Sequence, residues 1–161
     1  MKKKASNTRQ LKKHLKYIVP EVRLALIREP GIKPVSIQCP EDIERFVEPL
    51  KHYAEEYFVS FHLTSRNEIT NYQIVSQGSL SASIVHPREV FKAAIIANSH
   101  SIIVAHNHPG GSLTPSSDDI ETTKVLVEAG RILDIEVIDH IIVSSNGLSS
   151  LRETCPNLWL Q

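Results

Sequence analysis

The strongest constraint on this chain is the way a short apolar segment meets a cluster of polar side chains. Residues 101–105 read Ser-Ile-Ile-Val-Ala, which is typical of a buried strand, and His-Asn-His-Pro follows at 106–109. Two glycines then help to end the strand, and a helical pattern begins near Ser116, with Asp119 in its first turn. The sequence therefore predicts a strand, a loop and a helix whose meeting point carries histidine and aspartate side chains.

This spacing indicates a metal site. Side chains at positions i and i+2 of a strand share one face, so His106 and His108 point the same way. Two imidazoles and the carboxylate of Asp119 suit a borderline divalent metal such as zinc. Three protein ligands leave one coordination position open, which is typical of catalytic rather than structural zinc sites. The first hypothesis is therefore a hydrolase that uses a metal ion to activate water.

Each of these residues also has a purely structural interpretation. Ser-x-x-Asp from Ser116 to Asp119 is a helix-capping pattern, and Asp119 could simply complement the helix dipole. Thr114-Pro115 offers a competing helix start. Two histidines at i and i+2 are ambiguous when taken alone. The joint spacing, rather than any single residue, indicates the metal site.

The pattern His106-x-His108-x7-Ser116-x2-Asp119 resembles the JAMM motif of MPN-domain metalloproteases. Three longer segments resemble the RadC family more closely still: Val-His-Pro-Arg-Glu-Val at 85–90, His-Asn-His-Pro-Gly-Gly at 106–111 and Asp-His-Ile-Ile-Val at 139–143. The resemblance covers residues 40–155. Gly110 departs from the family, which usually carries serine there, but this position is not a metal ligand in the motif.

The resemblance implies an MPN fold, similar in layout to cytidine deaminases. It implies one Zn²⁺ ion held by His106, His108 and Asp119, and hydrolysis of a peptide or isopeptide bond. Ser116 would donate a hydrogen bond to the developing oxyanion, and it could cap the helix as well. The expected partner is a peptide or protein substrate, whose identity stays open together with the oligomeric state.

Metal-activated water needs a group that accepts its proton and delivers it to the leaving amine. The resemblance implies a glutamate just before the first core strand, where Glu55 and Glu56 precede Tyr57. Alignment of the strand start favours Glu56, with Glu55 as the alternative, although both could end a helix on a solvated face. Glu89 is a further candidate, at a predicted helix start where an acidic residue is expected anyway.

The whole pattern predicts an α/β/α three-layer domain with a mixed central sheet over residues 34–161. His140 is assigned to its core, although a place near the metal site is the alternative. The predicted helices cover 40–55, 87–98 and 116–130, the last ending at Gly130. The predicted strands cover 57–63, 70–76, 82–85, 101–105, 135–143 and 148–151.

A basic arm precedes this domain, at residues 1–33, and is predicted to be partly helical or disordered. It holds ten lysines and arginines against two glutamates, whereas residues 34–161 hold eight basic and sixteen acidic residues. Such an arm could bind nucleic acid, but it offers few aromatic side chains for base stacking, and a solubilising or self-docking role is favoured. The alternative function is therefore a DNA-associated accessory protein with weak or no protease activity. A pseudoenzyme is disfavoured by the complete ligand set.

Other classes are excluded by missing motifs. The chain lacks the Pro-Cys-x-x-Cys of zinc deaminases and the His-Glu-x-x-His of zincins, and nucleases called His-Asn-His spread these residues over a larger unit. No apolar run approaches the ~20 residues of a membrane span, and no signal peptide is recognised. Cys39 and Cys155 lack metal-binding spacing and are predicted to be free thiols in a reducing cytoplasm.

Overall fold

One mixed sheet organises the protein. The computed structural model describes residues 25, 31, 33–78 and 85–160. In this part of the chain six strands form a sheet in the order β1-β3-β2-β4-β5-β6, in which only β4 and β5 are parallel neighbours. The strands are β1 (Val35–Ser36), β2 (Tyr57–Leu63), β3 (Glu68–Gln77), β4 (Ser101–Asn107), β5 (Glu136–Ser144) and β6 (Gly147–Ser150). The predicted mixed sheet is confirmed.

Helical segments cover both faces of this sheet. The α-helices of the described residues are α1 (Glu44–Val47), α2 (Pro87–Ile96), α3 (Ser117–Leu133) and α4 (Leu151–Thr154). The same part of the chain holds three 3-10 segments, at Pro40–Ile43, Glu48–His52 and Pro156–Trp159.

The described residues form two apolar core clusters, one on each side of the sheet. On one side, residues of the first helical segments such as Val47 pack against Phe61 and other inward side chains of β2. On the other side, α2 and α3 pack against Phe58, Ile102 and Val104. All seven residues of β4 are buried, because this central strand is covered on both faces by helical segments. Its first part is accordingly rich in apolar side chains on both faces. The predicted α/β/α layering is confirmed.

The predicted helix over 40–55 is wrong in extent. The chain forms a 3-10 turn, one turn of α-helix and a second 3-10 segment, and it leaves helical structure after His52. Pro49 accounts for part of this break, because it has no N–H to donate to the carbonyl of Arg45. The apolar pattern of this segment predicts an inward face of Ile43, Phe46, Val47 and Leu50, of which Phe46 is partly buried and the other three are buried.

The predicted end of the long helix at Gly130 is also wrong. Helix α3 continues to Leu133, and Asp134 ends it in the left-handed region at φ 56°. Gly130 is buried within the helix, where an added Cβ would lie 2.5 Å from the carbonyl oxygen of Ile135 and 3.3 Å from the ring of Phe91. Glycine is required here by close packing rather than by helix termination.

We expect Gly130→Ala to lower the free energy of unfolding by about 1–3 kcal/mol, because the methyl group must displace backbone. Urea unfolding measures this change as a lower midpoint at constant slope. Gly110→Ala is the matched control, since an added Cβ at Gly110 meets no atom of the described residues within 4 Å. Equal stability of the two variants would contradict this account of Gly130.

Some predictions fall outside the described residues. The basic arm at 1–33 does so except for residues 25, 31 and 33, as does most of the predicted strand at 82–85. The domain boundary and the nucleic-acid hypothesis therefore stay predictions. Cys39 and Cys155 are free thiols, as predicted. Among the helices of the described residues, none combines the length and the apolar character that a bilayer span requires.

Candidate metal centre

The two histidines reach the site from the end of the most buried strand. His106 pairs with Phe58 across the antiparallel β2–β4 ladder, and the two rings stack with centroids 6.1 Å apart. His106 is fully buried, whereas the side chain of His108, just beyond the strand end, is 15% exposed. One histidine is therefore fixed by the core, and the other borders the solvent.

Asp119 arrives from the first turn of α3, and a capping box fixes it. The hydroxyl of Ser116 accepts a hydrogen bond from the N–H of Asp119 at 3.1 Å, and Oδ2 of Asp119 accepts from the N–H and hydroxyl of Ser116, both at 2.7 Å. Ser116 is the N-cap, so the competing start at Thr114-Pro115 is not used. The capping interpretation is correct, and the same cap orients the candidate ligand.

The three side chains bring their donor atoms to one point. Nε2 of His106 lies 2.9 Å from Nε2 of His108 and 3.0 Å from Oδ1 of Asp119, and Nε2 of His108 lies 3.3 Å from Oδ2 of Asp119. In a tetrahedral zinc site with bonds of 2.0–2.2 Å, neighbouring donors are about 3.3–3.6 Å apart. The observed triangle is only slightly tighter. His106, His108 and Asp119 are thus close enough to bind a metal ion.

The charge of Asp119 also fits this role. Burial by itself would raise the pKa of its carboxyl group. Hydrogen bonding and attraction to His106, together with the hydrogen bonds from Ser116, outweigh burial and hold this pKa below its usual range. The carboxyl group is therefore ionised at neutral pH, as a metal ligand must be.

Outer contacts hold the two imidazoles. Nδ1 of His108 lies 3.1 Å from the carbonyl oxygen of Ser112. Nδ1 of His106 lies 2.7 Å from Nε2 of His140, whose Nδ1 lies 2.6 Å from the hydroxyl of Thr123. The assignment of His140 to the core is correct in burial but incomplete, because its ring contacts a candidate ligand. Burial, followed by the charge of His106, lowers the pKa of His140.

Asn107, between the two histidines, anchors the segment that leads into β2. Its Oδ1 accepts from the N–H of Tyr57 at 2.7 Å, and its Nδ2 donates to the carbonyl oxygens of Glu55 at 3.0 Å and Tyr53 at 3.4 Å. Strand alternation directs Asn107 to the face opposite the histidines. This alternation is the only sequence feature that could have indicated its separate role. Sequence reasoning did not assign any role to Asn107 or to Thr123.

The candidate bases have different surroundings. Glu56 is half-buried and directly precedes β2, and continuing the β2–β4 register places it opposite His108. Glu55 is exposed, and its carboxylate accepts from the side chain of Gln77 at 3.4 Å. Glu89 pairs with Lys92 at 2.7 Å and with Arg88 at 3.1 Å, so its carboxylate is engaged at the start of α2.

Comparison with known proteins identifies the family of this domain. Residues 37–156 match the family model of the RadC-like JAB domain. The UPF0758 protein of Geobacillus thermodenitrificans is 48% identical over 118 residues, which are 73% of this chain and 52% of that protein. The UPF0758 protein STH371 of Symbiobacterium thermophilum is 44% identical over 123 residues, 76% of this chain and 53% of that protein. The chain thus spans about half the length of the curated relatives it matches, and it belongs to the RadC family through its JAB domain.

Proposed function

We propose that the protein is a zinc-dependent hydrolase of peptide or isopeptide bonds. The observation that carries this proposal is the convergence of Nε2 of His106, Nε2 of His108 and the carboxylate of Asp119, with contacts of 2.9–3.3 Å. Two imidazoles and one carboxylate suit zinc better than magnesium or calcium, which prefer oxygen ligands. Membership of a JAB-domain family supports the hydrolase class.

The metal and its ligands have separate parts in this proposal. Zinc bound by these residues would lower the pKa of a coordinated water to roughly 7 and polarise a substrate carbonyl group. The two imidazoles must offer neutral Nε2 atoms, and their Nδ1 contacts with His140 and with the carbonyl of Ser112 favour this arrangement. The capping box of Ser116 keeps the carboxylate of Asp119 directed at both imidazoles.

Glu56 is the proposed general base. The strand register supports it over Glu55, because residues one apart in an extended chain point to opposite faces, and the position opposite His108 is that of Glu56. The hydrogen bonds of Asn107 to Tyr57 and Glu55 hold the backbone on both sides of it. Glu56 would take the proton of the attacking water and deliver it to the leaving nitrogen, which needs a carboxylate at neutral pH.

Ser116 is the proposed oxyanion donor. Its hydroxyl has a single proton, which is directed to Oδ2 of Asp119 at 2.7 Å. Rotation about the Cβ–Oγ bond would turn this proton to a substrate oxygen, while the N–H of Ser116 retains its own hydrogen bond to the carboxylate. Removal of a comparable donor in other hydrolases costs ~2.7–4 kcal/mol of transition-state stabilisation.

Zinc-dependent peptide cleavage tests the proposal. We expect the full chain loaded with zinc to cleave members of a peptide library that includes lysine isopeptide linkages, with products identified by mass spectrometry. A chelator should abolish the cleavage, and added zinc should restore it, because the ligands do not activate water alone. His108→Ala is the matched inactive variant, and it guards against a contaminating protease.

Two outcomes would contradict this function. Cleavage that persists unchanged after chelation would show that the His-His-Asp cluster does not carry the activity. Absence of any zinc-dependent cleavage by a protein that has been shown to bind zinc would argue against peptide hydrolysis while leaving the metal site intact.

A further inference from the structure

We propose that His140 and Thr123 set the tautomer of His106 and join the strand ligand to the helix ligand through one hydrogen-bonded circuit. The circuit runs from Nδ1 of His106 to Nε2 of His140, from Nδ1 of His140 to the hydroxyl of Thr123, and from that hydroxyl to the main-chain carbonyl of Asp119. His140 and Thr123 are positioning residues in this scheme, because they act on the metal only through His106 and Asp119.

The order of donors follows from the one group in the circuit that can only accept. The carbonyl oxygen of Asp119 lies 2.6 Å from the hydroxyl of Thr123, so the single hydroxyl proton is committed to it. The hydroxyl must then accept at its second contact, and Nδ1 of His140 must carry the proton that it donates at 2.6 Å. The direction of both hydrogen bonds of the Thr123 hydroxyl is thereby assigned.

The same logic extends to the candidate ligand. The ring of His140 is fully buried and stacks edge-on against Phe58, at 5.4 Å between centroids. Among the described residues its two nitrogens contact His106 and the hydroxyl of Thr123, and no carboxylate. An imidazolium in such surroundings is costly, so His140 is neutral and its Nε2 is a bare acceptor. Nδ1 of His106 therefore donates to it at 2.7 Å, which leaves Nε2 of His106 as the nitrogen available to bind a metal.

The two candidate histidine ligands thus receive the same tautomer by different means. For His108 the acceptor is the main-chain carbonyl of Ser112, which every residue type would supply. For His106 the acceptor is a side chain that would accept only while Thr123 keeps the other nitrogen of His140 protonated. The tautomer of His106 therefore depends on side-chain identity at two positions that are distant in the sequence.

The circuit also couples two separate elements. His106 belongs to β4 and Asp119 to α3. The main-chain carbonyl of Asp119 accepts a hydrogen bond from the hydroxyl of Thr123, one helical turn away. This inference rests on the metal-binding part of the proposed function and not on hydrolysis. It goes beyond that function by predicting how the ligand set is prepared.

The first test is the protonation pattern of the wild-type histidines. We expect ¹⁵N–¹H correlation spectra of the metal-free full chain, at mildly alkaline pH, to show His140 protonated at Nδ1 and His106 protonated at Nδ1, with the same pattern after zinc is added. A His140 protonated at Nε2, in either form of the protein, would overturn the proposed donor order regardless of whether zinc binds.

The second test is zinc affinity in hydroxyl variants, measured by competition with a chromogenic chelator. We expect Thr123→Val to weaken zinc binding by roughly 10–100-fold, the usual effect of losing an outer-shell partner, while Thr123→Ser stays close to wild type. Thr122→Val is the matched control, because it makes the same change at the neighbouring, partly exposed position of α3.

The histidine spectra and the zinc affinities together test whether Thr123 acts through His140. In Thr123→Val we expect the His140 signal to lose its single Nδ1-protonated form, and thermal unfolding of the metal-free variants separates this effect from loss of fold. Zinc affinity of Thr123→Val equal to that of Thr122→Val would overturn the proposal, as would equal weakening by Thr123→Ser and Thr123→Val.

Discussion

Replacing His108 with alanine should abolish stable zinc binding and with it all zinc-dependent hydrolysis. The variant keeps only His106 and Asp119 of the three donors that converge on the site. Loss of a direct ligand should exceed the ~10–100-fold weakening that follows loss of an outer-shell partner. Metal analysis after dialysis should find one zinc ion per wild-type chain and substantially less in the variant.

Thermal unfolding gives an independent measure of the same effect. A ligand present at 1,000 times its dissociation constant stabilises the native state by ~4.1 kcal/mol, which for a chain of this size raises Tm by roughly 8–16 °C. We expect this rise for the wild type and for His100→Ala, an exposed control, but not for His108→Ala. His108 is preferable to His106 here, because His106 is fully buried against Phe58 and its removal would also leave a cavity. An undiminished zinc-induced rise in His108→Ala would exclude His108 as a ligand.

Replacing Glu56 with glutamine should lower kcat by about 10²–10⁴-fold while leaving zinc content unchanged. Glutamine retains the size and polarity of glutamate but cannot accept a proton at neutral pH. The measurement is the rate of cleavage of a peptide found in the library screen, at saturating substrate, alongside metal analysis of the same preparation.

Glu55→Gln is the matched control for this experiment. Both glutamates directly precede β2, but strand alternation directs them to opposite faces, and Glu55 is exposed beside Gln77. We expect Glu55→Gln to retain near wild-type kcat. Full activity in Glu56→Gln, or a loss confined to Glu55→Gln, would refute the assignment of the base.

Local pattern was sufficient for most of the sheet and for the candidate metal ligands. The run that became β4 is apolar on both faces, so its buried central position could be inferred without the structure. The alternation of side chains then placed His106 and His108 on one face, and the capping pattern placed Asp119 at the start of α3. In each case the decisive interactions lie within a few residues of sequence.

Helix extents were less predictable, because packing and backbone geometry decided them. A glycine such as Gly130 is typical of a helix end, yet α3 continues past it. Glycine is needed at this position because the helix backbone closely approaches Ile135. The segment after Pro40 has a helical apolar pattern, but Pro49 divides it into short turns. Helix propensity alone does not show whether close packing or a missing backbone N–H decides where a helix ends.

By itself, the sequence determined which residues could bind a metal, because ligand type and spacing along one strand and one helix start are local properties. Only the tertiary structure decided how those ligands are held. His140 comes from β5 and Thr123 from the middle of α3. His140 contacts His106, and Thr123 contacts His140, only because β4 and β5 pair in parallel beneath that helix. Asn107 likewise reaches the segment around Glu56 only through the β2–β4 pairing. Such contacts join residues 17–52 positions apart, and no periodicity within one element encodes them.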